Sequence, residues 1–358
     1  MTKLRGALSQ IQGRFEGEGR ETYDDGWASE APDAPPPLPT RVVEERARSI
    51  VARNDSPDVP FEQSVNPYRG CEHGCIYCYA RPSHAYLELS PGLDFETRLF
   101  AKTNAAELLR AELARPGYRP SPLAFGTNTD AYQPIERRYK VMRGLLEVLA
   151  ACDHPLTIVT KSALIERDLD LLAPMARKRL VKAFVSVTTL DARLARTLEP
   201  RAASPSRRID AIRALARAGV PCGVMVAPVI PALTDKSLEA VLEAAAGAGA
   251  RMAGWILLRL PNEVRPLFKE WLEAHEPQRA GHVVSVIRQS RGGRDNDPRF
   301  GSRMSGSGQF AELIGRRFEV ACRRLGLNRE DDHMASRGGL DTSLFRPPAP
   351  PGPQLALF

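Results

Sequence analysis

The sequence predicts an α/β fold in which six strand-and-helix units form a partial (β/α)6 barrel, followed by a helical C-terminal extension. Short apolar runs rich in β-branched residues alternate with amphipathic stretches, a pattern typical of parallel sheets with helical connections. The 358 residues, 43% of them hydrophobic, are enough for one large core. Both ends contain proline-rich runs without helical or strand period, so we expect disordered termini.

The six predicted units follow one another along the chain. We place the strands at residues 64–68, 123–126, 156–160, 181–188, 221–227 and 252–258. The helices follow at residues 104–115, 138–152, 167–179, 206–218, 235–248 and 264–274. Gly219 and Pro221 after the fourth helix, and Thr234 before the fifth, are the start and stop signals that helices commonly use.

This pattern divides the chain into four segments. We expect a disordered N-terminal arm (1–40), the partial barrel (41–275), an arginine-rich extension (276–330) and a proline-rich tail (331–358). The sequence contains neither an apolar run long enough to span a bilayer nor a signal peptide, so we expect a cytoplasmic protein without a membrane partner. Cys152, Cys222 and Cys322 lie among apolar neighbours and are predicted to be core thiols.

The positive charge is concentrated in one segment. Residues 279–329 hold eleven arginines, no lysine and four acidic residues, a net charge of +7 that equals the net charge of the whole chain. Because guanidinium groups suit bidentate phosphate contacts, we expect DNA or RNA as a partner. A high-GC coding bias would also enrich arginine, so composition alone leaves both explanations open. The predicted phosphate-binding residues are Arg291, Arg294, Arg299 and Arg303.

Three cysteines are the strongest chemical signal. Cys71, Cys75 and Cys78 form a C-x3-C-x2-C run that holds half of the six cysteines within eight residues. Three thiolates are one ligand short of a structural zinc site, but they suffice for a four-iron cubane whose fourth iron takes another ligand. A zinc knuckle completed by His73 or His84 is the alternative.

Polar residues follow the predicted strands at their C-terminal ends, where barrels of parallel strands place their reactive groups. The second, third and fourth strands lead into residues 126–134, 160–162 and 186–191. Lys161 and Ser186 end or interrupt apolar strands, which favours a ligand site over an ordinary surface loop.

The cysteine run, with an aromatic residue before its third cysteine, closely resembles the cluster motif of the radical S-adenosylmethionine (SAM) superfamily. Together with residues 127–134, 159–162 and 186–191, it resembles the spore-photolyase-like, or DNA repair photolyase-like, branch over about residues 42–330. The resemblance implies a TIM-like partial barrel of the radical SAM type, a 4Fe-4S cluster and SAM as cofactors, and an external electron donor. It also implies cleavage of SAM to a 5′-deoxyadenosyl radical and a lyase or DNA repair activity.

One departure leaves the substrate open. Spore photolyases return a hydrogen atom from a cysteine near the second strand end, whereas Thr127, Asn128 and Thr129 offer none here. The sequence therefore names no catalytic residue. The expected cofactor-binding residues are Lys161 and Arg201 for the SAM carboxylate, Asn128, Thr129, Ser186 and Thr188 for its ribose and amine, and Tyr77 for its adenine.

The last five residues carry a second resemblance. Gln354, Leu355, Leu357 and Phe358 match the short Gln-Leu-x-Leu-Phe peptide with which bacterial repair and replication proteins bind the DNA sliding clamp. A proline-rich spacer precedes them, and a peptide ligand needs such exposure and reach. The alternative is a hydrophobic tail that packs on its own domain.

The sequence thus predicts a radical SAM enzyme that acts on nucleic acid, in a role similar to DNA repair. Two alternatives stay open: a radical SAM enzyme that acts on a protein or a small molecule, and a non-catalytic zinc protein that binds nucleic acid.

Overall fold

The computed structural model describes residues 5–16, 38–329 and 339–348. The strands are β1 (Arg41–Glu45), β2 (Val51–Arg53), β3 (Gln63–Val65), β4 (Tyr68–Arg69), β5 (Arg98–Lys102), β6 (Leu123–Phe125), β7 (Leu156–Thr160), β8 (Val181–Ser186), β9 (Cys222–Val229) and β10 (Met252–Leu257). The helices are α1 (Asp94–Thr97), α2 (Ala105–Leu113), α3 (Glu136–Tyr139), α4 (Val141–Ala151), α5 (Leu169–Arg177), α6 (Ala192–Leu198), α7 (Pro205–Arg217), α8 (Leu238–Gly247), α9 (Val264–His275), α10 (Pro277–Gln289) and α11 (Gln309–Leu325). Short 3₁₀ helices span Arg81–Leu87, Ala163–Asp168 and Asp235–Ser237.

A seven-stranded sheet forms the centre of the molecule, in the order β10-β9-β8-β7-β6-β3-β2. Six strands of this sheet, β3 and β6 to β10, are parallel. Strand β2 pairs antiparallel with β3 at one edge. The sheet is open, with β2 and β10 as its two edges. The predicted α/β fold is therefore confirmed, and the sheet does not close into a complete barrel. A separate small sheet has the order β1-β5-β4.

All six predicted strands and all six predicted helices are present, with ends that differ by at most three residues. The predicted helical extension is also present as α10 and α11. The small sheet was not predicted, because its strands are too short for alternation to stand out from a loop.

Helix packing covers the sheet in the way that the periodicity indicates. On α4, residues Met142, Leu145, Leu146 and Leu149 lie on one face, and all four are fully buried in the main hydrophobic core. Helix α7 begins where Pro205 takes the first helical position and the Ser204 hydroxyl accepts a hydrogen bond from the Arg207 amide.

The N-terminal arm differs from the prediction. Residues 5–16, hereafter the N-terminal strap, pack on the body of the protein, and Ala7 is buried in the same apolar cluster as Cys75, Ile76 and Tyr77. This segment forms neither helix nor strand, and it is held by hydrogen bonds to distant residues such as Glu96 and Glu270. Sequence periodicity therefore could not predict it. Among the described residues, no helix has the length and apolar composition needed to cross a membrane.

Candidate active site

Residues 70–80, hereafter the cysteine loop, lie across the C-terminal edge of the large sheet. The loop contacts residues that follow three neighbouring strands. His73 Nδ1 lies 3.4 Å from Asp130 Oδ2, after β6, and the Tyr77 ring lies 5.8 Å from Lys161 Nζ, directly after β7. The Tyr77 hydroxyl lies 3.2 Å from Thr188 Oγ1, beyond β8. The predicted convergence of strand-end loops is therefore present.

The guanidinium of Arg81 fixes the backbone of the loop from inside. This side chain is fully buried and donates to the carbonyl oxygens of Cys75 at 2.9 Å and Gly74 at 3.2 Å. It also donates to the carbonyls of Pro91 and Gly92, and it pairs with Glu96 at 2.5 Å. The loop is thus held in one shape by charge-assisted hydrogen bonds rather than by its own secondary structure.

The three thiols of the loop are sheltered and electrostatically coupled. Cys71 and Cys75 are buried, and Cys78 is half-buried. Burial raises the pKa of Cys75 to about 12, against the opposing influence of the Lys161 charge. Burial, the Asp130 charge and the other two cysteines raise the pKa of Cys71. Without a metal these groups are therefore thiols, and metal binding would release protons.

The donor set fits an iron-sulfur cubane better than a single metal ion. Within the described parts of the chain, no three or more His, Cys, Asp or Glu side chains converge on a point that could hold one metal ion. In a cubane each cysteine binds a different iron, so its ligands need not converge on one point. With these three cysteines as its ligands, a cubane would keep one iron for a ligand other than a cysteine of this loop.

Asp130 connects the cysteine loop to the end of β7. Its carboxylate accepts hydrogen bonds from Thr160 Oγ1 and from the Lys161 amide, both at 2.7 Å. Burial by itself would raise the pKa of Asp130, but the nearby His73 and these hydrogen bonds lower it to about 2. Asp130 is therefore ionised, and it orients the backbone from which the Lys161 side chain projects.

A buried ionic network lies beneath Tyr77. The Glu199 carboxylate pairs with the Arg208 guanidinium and accepts hydrogen bonds from the Tyr77 hydroxyl and, at 2.7 Å, from Thr188 Oγ1. Burial alone would raise the pKa of Glu199, but the charges of Arg208 and Lys161 outweigh it and lower the pKa to about 2. The network fixes the Tyr77 ring beside the cysteines.

Sequence reasoning missed Glu199 and Arg208. They lie on either side of the start of α7, and no periodicity or motif marks them as partners. The only available signal was the position of Glu199 beside the candidate Arg201, after the fourth predicted strand.

The predicted cofactor residues divide into those that face the loop and those that support it. Lys161 has no ion-pair partner among the described residues, and its ammonium lies near the Tyr77 ring and two of the cysteines. Thr129 is buried, and its hydroxyl donates to the Tyr68 carbonyl at 3.1 Å. The backbone amide of Asn128 donates to Asn66 Oδ1 at 3.0 Å.

Two other predicted cofactor residues have protein partners in this structure. The carbonyl oxygen of Ser186 accepts a hydrogen bond from Arg208 at 3.0 Å, and the whole residue is buried. Arg201 pairs with Glu72 at 2.5 Å, so a carboxylate already occupies its guanidinium. Lys161 is therefore the better placed of the two predicted cations for an added anionic group.

The four predicted phosphate-binding arginines have different environments. Arg291 does not fit the prediction, because only 1% of it is exposed and it donates to the backbone carbonyls of Leu257, Leu258, Ser302 and Arg303. Arg291 thus joins the end of β10 to the loop that precedes α11.

The other three predicted arginines are more accessible. Arg294 is exposed, Arg299 is largely exposed and pairs with Asp297, and Arg303 pairs with Asp58. The predicted clamp-binding residues Gln354, Leu355, Leu357 and Phe358 lie outside the described residues.

Four side chains connect the cysteine loop to the arginine-rich extension. Tyr79, next to Cys78, is 48% exposed, and the Arg259 guanidinium lies 5.5 Å from its ring centroid. Burial and the nearby charge of Arg303 lower the pKa of Arg259. The Arg303 guanidinium lies 4.5 Å from the ring of Phe300, which is 61% exposed. These four residues are hereafter the aromatic-arginine row.

The fold and the site define a class of protein: an open parallel α/β sheet that carries a three-cysteine loop at the C-terminal edge of its strands. A sequence profile of the radical SAM superfamily matches residues 65–245, half of the chain. The chain therefore belongs to the radical SAM superfamily. It is a radical SAM enzyme, and the cofactors of that family are SAM and a 4Fe-4S cluster.

Several proteins are similar to this chain. An uncharacterized protein of Mycobacterium tuberculosis is 45% identical over 232 residues, which cover 64% of this chain and 68% of the relative. An uncharacterized protein of Methanocaldococcus jannaschii is 28% identical over 171 residues, which cover 48% of this chain and 61% of the relative.

Among solved structures, spore photoproduct lyase complexed with dinucleoside spore photoproduct is similar, with a TM-score of 0.58, 17% identity and coverage of 80% of both chains. A mutant of that enzyme with bound AdoMet and the same dinucleoside has a TM-score of 0.52 at 17% identity, with coverage of 79% of this chain and 78% of that one. At this identity the likeness supports the fold alone.

We predict that Glu199→Gln lowers the free energy of unfolding of the metal-free protein by about 3–5 kcal/mol, because it leaves the buried Arg208 charge uncompensated. Guanidinium chloride unfolding measures this loss. The matched control is Glu166→Gln, which breaks an ion pair with Arg207 at the protein surface. The Glu166 side chain is 29% exposed and the Arg207 side chain 49%. The control should cost about 0–1 kcal/mol. Equal losses in the two variants would contradict the account of this network.

Proposed function

We propose that this radical SAM enzyme holds its 4Fe-4S cluster on Cys71, Cys75 and Cys78 and acts on DNA, in a role similar to DNA repair. The observation that carries the proposal is the cysteine loop itself: three sheltered thiols at the C-terminal edge of a parallel sheet, beside the Lys161 ammonium, which has no ion-pair partner among the described residues.

When bound, the cluster and SAM would supply the difficult chemistry, the radical cleavage of an unactivated carbon–hydrogen bond. The contribution of the protein is to bind, orient and exclude water. Cys71, Cys75 and Cys78 bind the irons, and Arg81 keeps their loop in shape. Lys161 offers its positive charge to the SAM carboxylate, and Tyr77 presents a fixed aromatic ring beside it.

The support for a nucleic-acid substrate is the position of the aromatic-arginine row. It begins next to a cluster cysteine and ends in the arginine-rich extension, so a strand bound along it would pass the cofactor site. Exposed rings at Tyr79 and Phe300 suit base stacking, and nearby guanidinium groups suit phosphates. Spore photoproduct lyase, which has a similar fold at 17% identity, was solved with a dinucleoside, so this fold is compatible with a nucleic-acid substrate.

We predict that anaerobically reconstituted protein contains about four irons per chain and converts SAM to 5′-deoxyadenosine in the presence of a reductant. Replacing any one of Cys71, Cys75 or Cys78 by Ala should abolish both results, because a cubane held by two cysteines is not retained. Iron analysis and chromatography of the nucleoside provide the measurements. Cys322→Ala, which removes a buried thiol of α11 instead, should leave both unchanged. A zinc-containing protein without iron would refute the assignment.

We predict that the combined change of Arg294, Arg299 and Arg303 to Ala weakens DNA binding and reduces the salt dependence by about one unit of slope per lost phosphate contact. Titrations of a labelled DNA duplex and of a matched RNA at several salt concentrations measure this effect.

The control for this prediction removes equal charge elsewhere: Arg207, Arg213 and Arg217 of α7 changed to Ala. If both triple variants bind DNA alike, the arginine-rich extension is not a DNA site, and the protein or small-molecule alternatives gain support. Stronger binding and a larger loss with RNA would assign the substrate to RNA instead.

We also propose that the C-terminal residues Gln354, Leu355, Leu357 and Phe358 bind a DNA sliding clamp. The described segment before them is anchored, since the Phe345 ring lies 5.5 Å from that of Tyr118 and 5.3 Å from that of His154. These two partners precede β6 and β7, so the anchor lies at the N-terminal edge of the sheet, opposite the cysteine loop. A clamp held from there would leave the site open to DNA.

We predict that the isolated C-terminal peptide binds purified bacterial clamp weakly, with a Kd of about 40 μM or higher. Burial of Leu357 and Phe358 supplies about 3–6 kcal/mol before ordering costs. Fluorescence titration measures the affinity, and a peptide with both residues changed to Ala serves as the control. Equal binding by the two peptides, or none at high clamp concentration, would remove the clamp from the proposal.

A further inference from the structure

The N-terminal strap crosses the outer side of the cysteine loop, away from the strand ends. Its backbone is held there by specific hydrogen bonds. The amides of Gly6 and Ala7 donate to the two carboxylate oxygens of Glu96, at 2.9 and 2.8 Å. Glu96 is fully buried. The same carboxylate pairs with Arg81, whose guanidinium binds the carbonyls of Gly74 and Cys75. One carboxylate therefore joins the strap to the loop that carries the thiols.

The strap and the loop approach each other backbone to backbone. A Cβ atom on Gly6 would lie 1.7 Å from the carbonyl oxygen of Gly74, which no side chain tolerates. Gly74 itself has a φ of +68° and would direct a Cβ to within 2.6 Å of Glu96. Glycine at both positions permits this close contact, directly before Cys75 in the chain.

Further contacts fix the strap on both sides of this crossing. On one side, Arg5 donates to Thr40 Oγ1 at 2.9 Å, and Thr40 donates to Glu72, the neighbour of Cys71, at 2.6 Å. On the other side, Ser9 donates to Glu270 at 2.7 Å and Arg14 pairs with Glu263 at 2.8 Å. The strap thus bridges the cysteine loop and helix α9, with its closest approach to the loop at Gly74.

We propose that the N-terminal strap, joined through Glu96 and Arg81, forms the outer wall of the cluster site: it holds the cysteine loop ready for iron and keeps water and dioxygen from the cluster. This inference rests on the proposed function, since it requires a cluster on Cys71, Cys75 and Cys78. Glu96 and Arg81 are positioning residues, because they act on the cluster through the carbonyls and backbone of the loop.

The sharpest probe is a single methyl group. In Gly6→Ala the new Cβ meets the Gly74 carbonyl and must push the strap from the loop, whereas the body of the protein is unchanged. The matched control is Gly281→Ala on α10, where a Cβ would have no atom within 4 Å. A second probe, Glu96→Gln, keeps the shape but places an amide NH₂ where the carboxylate accepts from three N–H groups.

The experiment reconstitutes the full-length protein and both kinds of variant anaerobically, then records iron content and the loss of visible cluster absorbance after exposure to air. The melting temperature of each metal-free protein is measured in parallel, and the air exposure is done well below all of them. We expect Gly6→Ala and Glu96→Gln to lose the cluster about tenfold faster than the unmodified protein, equivalent to about 1.4 kcal/mol of lost protection. Gly281→Ala should match the unmodified protein.

The outcomes separate the two proposals. If the unmodified protein binds no iron, the proposed function fails. If it binds iron and the strap variants lose the cluster at the unmodified rate, the strap is not a wall of the site and this inference is wrong. A lower melting temperature with an unchanged rate of cluster loss would also contradict it, because it would show that the strap contributes only to general stability.

Discussion

The buried guanidinium of Arg81 is the interaction on which the candidate site depends. The cysteine loop has no regular secondary structure of its own. The guanidinium binds two of its carbonyls, those of Gly74 and Cys75, and the other three acceptors of this group lie on Pro91, Gly92 and Glu96. A buried cation of this kind is stable only when every donor has a partner and a counter-charge is near. Glu96 supplies the counter-charge, and the N-terminal strap completes the coordination of Glu96.

A second buried pair serves the opposite side of the loop. Glu199 and Arg208 neutralise one another beneath Tyr77, and Lys161 adds a positive charge beside the thiols. Positive groups near the cysteines oppose the effect of burial and favour the thiolates that iron requires. The two pairs therefore support the loop, and the Lys161 charge lowers the pKa of Cys75 against the effect of burial.

The sequence was a good guide wherever periodicity or a dense motif was present. The six strands, their helices and the cysteine loop could be predicted, because alternating apolar patterns and three closely spaced thiols leave local traces. The partners Arg81, Glu96, Glu199 and Arg208 could not, since each acts across a distance in sequence that no local pattern records. Arg291 shows the converse error: an arginine in a basic stretch was predicted to bind phosphate, yet it satisfies buried carbonyls.

The proposed function requires a cubane with one iron open to SAM. Electron paramagnetic resonance of the reduced protein tests this requirement most directly. Spectra of the anaerobically reduced protein are recorded before and after SAM is added. We expect a reduced 4Fe-4S signal whose g values shift with SAM, because the cofactor would bind at the iron without a cysteine ligand. A protein without a cubane signal, or a cubane signal that SAM leaves unchanged, would contradict it.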